Sequence, residues 1–417
     1  MNTVSAEIIT IGDEILYGQI TDTNTQWISQ QLDGIGIKTV RKTSVGDQRE
    51  AILSALQEAS QRAHIVLVTG GLGPTKDDIT KQVFVEYFNS TLVFHQEVLD
   101  HVQSLFDKIG RKMSDLNKNQ AYLPECAQVI PNQLGTAPGM WFEKEDCIYI
   151  SMPGVPHEMK GLMNSCIIEK LQQKFQTPTI LHRMVKTIGI PESTLSELLA
   201  PWEEQLPEHI SLAYLPSLGQ VKLRLSGVGE KAELLAQELD REVTTLTQIA
   251  EKYIYAYDNE EVEHIIGQLL KDQNASLATA ESCTGGFIAN KITNVPGCSV
   301  YYKGGIVSYS NEVKMSQLGI PEEMLKAHGA VSEEVAKTMA KQVRIKYGAD
   351  FGISTTGIAG PDGGTPEKPV GTVWVGYSDA NTTEAKLLHF PHTRQMNITL
   401  TYNALMNWLR KKLLKEE

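Results

Sequence analysis

Apolar runs of five or six residues punctuate this chain, and most of them end in a short string of small and polar residues. Ala6–Ile11, Lys38–Thr43 and His64–Thr69 read as strands. Between them, Thr25–Leu32 and Arg49–Ala63 carry apolar residues at helical spacing, with Asp22 or Thr23 placed to cap the first helix. Strand, helix, strand, helix with near-continuous apolar strands predicts a parallel sheet with crossover helices. Thr177-Pro178 marks a boundary. Beyond it the pattern gives a strand (Leu181–Ile188), a helix (Ser193–Gln205), two strands (Ile210–Leu215 and Val221–Gly227) and a helix (Ala232–Ile249). The alternation Val221-Lys222-Leu223-Arg224-Leu225 predicts an antiparallel pair with one wet face.

In the last third, Ala275–Thr279 and Asp350–Ser354 read as buried strands, each running into a glycine-rich turn. Val335–Tyr347 reads as a helix capped at Ser332, and Gly371–Tyr377 with Ala385–Phe390 as a hairpin. A terminal helix starts at Arg394, with apolar residues at 398, 402, 405, 408 and 409 on one face. The class is α/β in three domains: a parallel-sheet domain over 1–168, a small α+β domain over 169–257 and an α/β domain over 258–417.

Composition narrows the function classes. Of 417 residues, 50 are acidic and 38 basic, a net charge of −12, which argues against broad binding to nucleic acid or an anionic membrane. Five cysteines, at 126, 147, 166, 283 and 298, form no Cys-x-x-Cys pair and no zinc spacing, so free thiols in a reducing compartment are expected. No basic segment leads an apolar one at the N-terminus, and no stretch nears 18 apolar residues. The expectation is a soluble cytoplasmic protein with neither membrane nor nucleic-acid partners.

The richest stretch is Ala280-Glu281-Ser282-Cys283-Thr284-Gly285-Gly286, set between a strand and a helix opening at Phe287. A hydroxyl or thiol at such a turn faces unpaired amides and the positive end of the helix dipole, which favour an oxyanion or a phosphate. Ser282 or Thr284 can equally be a plain cap, with Gly285-Gly286 allowing close packing. Two further stretches tip the balance. Thr355-Thr356-Gly357-Ile358-Ala359-Gly360-Pro361-Asp362-Gly363-Gly364-Thr365 offers backbone amides with few side chains in the way, and Lys303–Lys314 carries Tyr309 and Lys314 beyond another strand end. Cys283 rivals Ser282, because a thiolate at a helix N-terminus has a lowered pKa. Chemistry alone leaves the nucleophile as Ser282 or Cys283.

These strings resemble the C-terminal domain of the competence/damage-inducible CinA family, over about Glu261 to Leu414, whose stand-alone relatives are nicotinamide mononucleotide (NMN) deamidases. The resemblance implies hydrolysis of the nicotinamide carboxamide to nicotinate mononucleotide and ammonia, without a cofactor. Ser282 would be the nucleophile, with Tyr309 and Lys314 near it to take up and return its proton. Thr284, Gly285, Thr356, Gly357, Gly360 and Gly364 would hold substrate, and Arg394 would pair with its phosphate. A serine needs a neighbouring base, and lysine serves where burial lowers its pKa. One departure from the family pattern is His392-Thr393, where a Gly-Asp pair often precedes the arginine.

The N-terminal strands also end in candidate chemistry: Gly12-Asp13-Glu14, Asp47, and Gly70-Gly71-Leu72-Gly73 followed by Asp77-Asp78. Glycines let amides approach a phosphate and carboxylates can hold a divalent cation, although such acids also suit a helix's first turn. With Asp22-Thr23-Asn24 and Pro153–Met159, these residues resemble the molybdopterin-binding fold that CinA proteins carry at their N-terminus. The resemblance implies metal-dependent ADP-ribose pyrophosphatase activity, with Asp13, Asp47, Asp77 and Asp78 on a divalent ion and Gly70, Gly71, Gly73 and Asn24 on the substrate. The alternative is a pterin- or nucleotide-binding protein without turnover. The middle domain resembles the KH-like domain of the same family. Gly227-Val228-Gly229 does not supply a Gly-x-x-Gly loop, so this domain reads as a spacer and dimer contact. The implied partners are small nucleotide substrates and a second copy of the chain.

Overall fold

The structure, a computed structural model, describes residues 4–75 and 77–416. The chain divides into two compact units. One runs to Leu181 and includes Val228–Ala236; the other comprises His182–Gly227 and everything after Ala236.

In the first unit, β1 (Ser5–Ile11), β2 (Lys38–Val45) and β3 (Ile65–Thr69) are followed by a small antiparallel pair, β4 (Leu92–Phe94) and β5 (Tyr122–Pro124). Then come β6 (Gln128–Ile130), β7 (Gly139–Lys144) and β8 (Cys147–Met152). The main sheet has the order β2-β1-β3-β8-β7-β6, parallel across its first four strands and antiparallel at the β7–β6 edge. β1 and β3 are buried along their whole length. Alternate residues feed two cores: Ile8, Ile65 and Leu67 pack into one, and Ile9, Val66 and Val68 into the other. That is why these strands show continuous rather than alternating hydrophobicity. Asp22 caps the helix Thr23–Gly34, its carboxylate accepting from the Thr25 amide at 2.9 Å. The antiparallel edge and the separate β4–β5 pair have no counterpart in the sequence reading; β4, β5 and β6 are three residues each, too short for a period to register.

The second unit begins with the sheet β10-β11-β9-β12, built from β9 (Thr179–Ile188), β10 (Ile210–Ser217), β11 (Gln220–Gly229) and β12 (Ile254–Tyr257). β10 and β11 form the expected antiparallel pair; β12, unforeseen from sequence, adds antiparallel to β9. The middle segment packs with the C-terminal one. Ile188, Tyr255 and Ala256 share a core with Val262, Ile266 and Tyr402, and buried Lys186 reaches the Glu261 carboxylate at 2.9 Å.

The C-terminal sheet has the order β14-β13-β15-β16-β17, from β13 (Leu277–Glu281), β14 (Tyr302–Val307), β15 (Phe351–Gly357), β16 (Thr372–Ser378) and β17 (Thr383–His389). Its first three strands are parallel and its last two form the expected hairpin. Ala278 and Ala280 pack toward the helix Glu333–Tyr347, while Leu277 faces the core of the terminal helix Arg394–Leu414. β13 and β15 run further than expected. Glu281 and Thr355-Thr356-Gly357 are strand residues, so the turns begin later than their small side chains suggest. Among the described residues, no helix is long and apolar enough to cross a membrane.

Candidate active site

Three strand ends are stitched together around Ser282. Its amide donates to the Thr355 carbonyl at 3.0 Å, and the Ser308 amide donates to the Glu281 carbonyl at 2.7 Å. Just past β14, Ser310 caps the helix Asn311–Leu318 and turns Lys314 inward. The Lys314 side chain is only 2% exposed and Ser282 is 8% exposed. Lys314 Nζ lies 2.9 Å from Ser282 Oγ and donates to the Ser308 carbonyl at 2.7 Å. Among the described residues no carboxylate pairs with this amine. Burial therefore holds its pKa below the ordinary 10.5. The neutral form, which could accept a serine proton, is more accessible to such a lysine than to one in water.

Cys283 behaves in the opposite way to that expected of a thiolate at a helix start. Its thiol is buried, and burial pushes its pKa up to about 12. Desolvation outweighs the helix dipole, so the thiol stays protonated and a poor nucleophile.

The dipole is also already answered. The buried Glu281 carboxylate accepts from the amides of Gly286 (3.0 Å), Ile288 (3.1 Å) and Ala289 (2.8 Å), and from the Thr284 hydroxyl (2.7 Å). The start of the helix Phe287–Thr293 is thus neutralised from within, which corrects the expectation that it would receive an external anion. The amides of Cys283 and Thr284 lie outside this set and donate to no backbone carbonyl among the described residues. Thr284 also meets the Thr355 hydroxyl at 2.8 Å, so its side chain braces the turn. Sequence reasoning quoted Glu281 without giving it a role. It stands six residues before the helix, beyond the spacing of any local cap, and reaches the helix only because the turn folds back.

Tyr309 does not meet Ser282 or Lys314 by a hydrogen bond. It is 59% exposed, and its hydroxyl accepts from Arg394 Nη2 at 2.8 Å. Arg394 Nη1 donates to the Gly360 carbonyl at 2.9 Å. Thr356 spends its hydroxyl on the Ala330 carbonyl at 2.6 Å, and Gly357 pairs with Val373 inside the sheet. Gly285 and Gly364 are exposed on their turns.

In the first unit, the ends of β1, β2 and β3 surround a cavity of about 470 Å³, lined among others by Glu14, Asp47, Gly70, Gly73, Asp77 and Asp78. Gly70 sits at φ +115°, where a Cβ would lie 2.1 Å from the Ile11 carbonyl oxygen, so only glycine fits there. The Asp13 amide donates to Asp47 Oδ2 at 3.1 Å. Burial raises the Asp47 pKa, the Asp13 amide draws it back, and the like charges of Asp13, Glu14 and Asp77 raise it further. Asp78 is turned to the amide and hydroxyl of Thr75. Asn24 donates to Thr69 Oγ1 and to the Gly154 carbonyl, while its own Oδ1 is buried without a partner beside a smaller adjoining cavity.

Among the described residues, no group of three or more His, Cys, Asp or Glu side chains stands close enough to hold a metal ion. The carboxylates that line the cleft are Glu14, Asp47, Asp77 and Asp78, and Asp13 joins Asp47 through its backbone amide. That fits a magnesium-like ion in one respect: such ions take one or two carboxylates and complete their shell with water and substrate phosphates.

Comparison with known proteins places this geometry. Three family models match in turn: a probable molybdopterin binding domain over residues 7–173, a damage-inducible protein CinA KH domain over 182–256, and a CinA C-terminal domain over 259–413. A CinA-like protein of Cytophaga hutchinsonii is 53% identical over 414 residues, covering 99% of each chain. The chain belongs to the CinA family. A second CinA-like protein, from Flavobacterium psychrophilum, is 43% identical over 99% of each chain. The crystal structure of a competence damage-inducible protein A from Klebsiella pneumoniae is 31% identical and covers 37% of this chain and 97% of its own, with a TM-score of 0.36. The Ser282–Lys314 contact thus belongs to the CinA C-terminal domain, and the acidic cleft to the molybdopterin-binding-like one.

Proposed function

We propose that the C-terminal domain hydrolyses the carboxamide of NMN and that Ser282 and Lys314 carry the reaction. The observation behind this reading is the 2.9 Å contact between a buried amine of lowered pKa and a serine hydroxyl at a strand end. Neutral Lys314 takes the Ser282 proton as Oγ bonds to the carboxamide carbon. The carbon–nitrogen bond then breaks, and the proton passes to the leaving group as ammonia departs, leaving an acyl ester on Ser282. Water gives a proton to the same amine and adds to the ester carbon; the carbon–Oγ bond breaks, Ser282 regains its proton from the amine, and the acid product gives its remaining proton to solvent and leaves as the carboxylate of nicotinate mononucleotide. The amides of Cys283 and Thr284, which donate to no backbone carbonyl among the described residues, would serve the oxyanion. Arg394 takes the phosphate, and Tyr309, which bonds Arg394 and neither Ser282 nor Lys314, joins the proton relay only once that bond is broken.

For the N-terminal domain the reading is hydrolysis of a phosphoanhydride of the ADP-ribose type. Asp13 and Asp47 would hold a divalent ion, which when bound supplies charge neutralisation and an activated water. The glycine turn at 70–73 brings backbone to the phosphates, and Asn24 offers its unpartnered oxygen to a ribose hydroxyl. The several carboxylates lining the cleft, which suit a cation-bound phosphate, support this reading over a pterin held without metal.

Incubating the full chain with NMN and with ADP-ribose, with and without chelator, tests both readings. Ammonia from NMN should be indifferent to chelator, while phosphate-ester products from ADP-ribose should vanish with it. Saturable binding of either compound without product would replace the corresponding reading with a binding role.

A further inference from the structure

The guanidinium of Arg394 is already occupied, and its two partners sit on different turns. Gly360 belongs to the loop after β15, whereas Tyr309 follows Ser308, whose carbonyl holds Lys314 Nζ. The backbone beneath is firm. Fully buried Asn397, in the first turn of the terminal helix, donates to the carbonyls of Ala359 (3.0 Å) and His392 (2.9 Å). Above that base, the Arg394 and Tyr309 side chains are solvent-exposed and free to re-pair. Tyr309 is a neutral acceptor on a cation. A phosphate monoester is a charged one, and charge-assisted, bidentate bonds to arginine are roughly twice as strong as neutral ones.

We propose that Arg394 is a positioning residue: it keeps Tyr309 in a bond that the phosphate of a nucleotide substrate breaks, and the released tyrosine then serves the reaction at Ser282. The proposal rests on the NMN reading above. Its consequence is that the phosphate accelerates the chemical step as well as binding, since energy from a non-reacting part of the substrate is spent on assembling the site. The domain then discriminates nucleotides from nucleosides through kcat.

The test uses the full chain with NMN, with nicotinamide riboside, and with the riboside plus phosphite as a detached phosphate mimic. The riboside should fall short of NMN in kcat by roughly tenfold or more, with phosphite restoring several-fold of its kcat/KM. Arg394→Ala should abolish the phosphite effect. Tyr309→Phe should bring the kcat values of the two substrates together, an outcome that a merely structural arginine would not give. Equal kcat for the two substrates with only KM changed, or phosphite acting solely as an inhibitor, overturns the proposal and leaves the deamidase reading intact. Absence of ammonia from NMN itself overturns both.

Discussion

The two candidate sites handle buried charge in opposite ways. Around Ser282 a lone amine is buried without a carboxylate partner among the described residues, so its pKa falls while it touches the Ser282 hydroxyl. In the N-terminal cleft Asp47 is partly buried, which raises its pKa, and the like charges of Asp13, Glu14 and Asp77 raise it further. The first site is assembled by the fold itself: strand ends fix both reacting atoms and a carboxylate clamps the helix behind them. The second is finished only by what enters it. Direct contact between complementary groups marks a site that is ready before substrate arrives, and accumulated like charge marks one that its ligand completes.

The sharpest way to break this comparison is to disable each site in turn. Ser282→Ala should lower NMN deamidation by ~10⁴ or more while leaving ADP-ribose hydrolysis unchanged, and Asp47→Asn should do the reverse with a loss of about 10² or more. Cys283→Ala should retain activity within about threefold, because a buried thiol of raised pKa contributes no nucleophile. Equal losses from Ser282→Ala and Cys283→Ala would mean that the turn is structural and that the contact with Lys314 has been misread.

Much of this was legible in the residues, and the pattern of what was not is physical. Parallel strands with apolar faces on both sides announced themselves over β1, β3 and β13, and each site lies beyond the carboxyl ends of such strands. Lys314 was found because it sits in a polar turn that the fold was expected to bring close. Its burial was not legible, since only the packing of the helix Asn311–Leu318 removes it from water. Arg394 and Tyr309 were each picked out, but their mutual bond spans 85 residues and no spacing encodes it. Glu281 escaped for the same reason in miniature: its amide partners are five to eight residues ahead, across a turn of left-handed glycines.

A weaker probe sharpens the role of that carboxylate. Glu281→Gln keeps the shape but removes the charge, and because Ile288 and Ala289 donate to different carboxylate oxygens, one of the two amides then faces an NH2 group instead of an acceptor. Bonds to a charged group are worth about 1.5–3 kcal/mol against roughly 1 for neutral ones, so a loss of about 2–4 kcal/mol is expected over the set. Thermal unfolding should register it as a Tm lower by several degrees, ~2–4 °C per kcal/mol for a unit of this size. Turnover should drop only about tenfold, because the turn that carries Ser282 loosens but the Ser282–Lys314 pair remains. An unchanged Tm would show that water can replace the clamp.

The smallest effect is also the most direct measure of the amine. Lys314 in the folded chain titrates below its ordinary 10.5. Between those two pH values the unfolded chain binds more protons than the folded one, so wild-type stability climbs with pH, at no more than about 1.4 kcal/mol per unit for one group. Below the folded pKa the amine is charged in both states and its burial cost is present in full; above 10.5 it is neutral in both and the cost is gone. Lys314→Met removes this titration. In urea unfolding at stepped pH, the wild type should therefore gain on the variant as pH rises toward 10.5, and kcat/KM for NMN should rise through the same lowered pKa before levelling. A stability gap that stays flat across that window would mean Lys314 keeps its proton in the folded protein, and the base for Ser282 would have to be sought elsewhere.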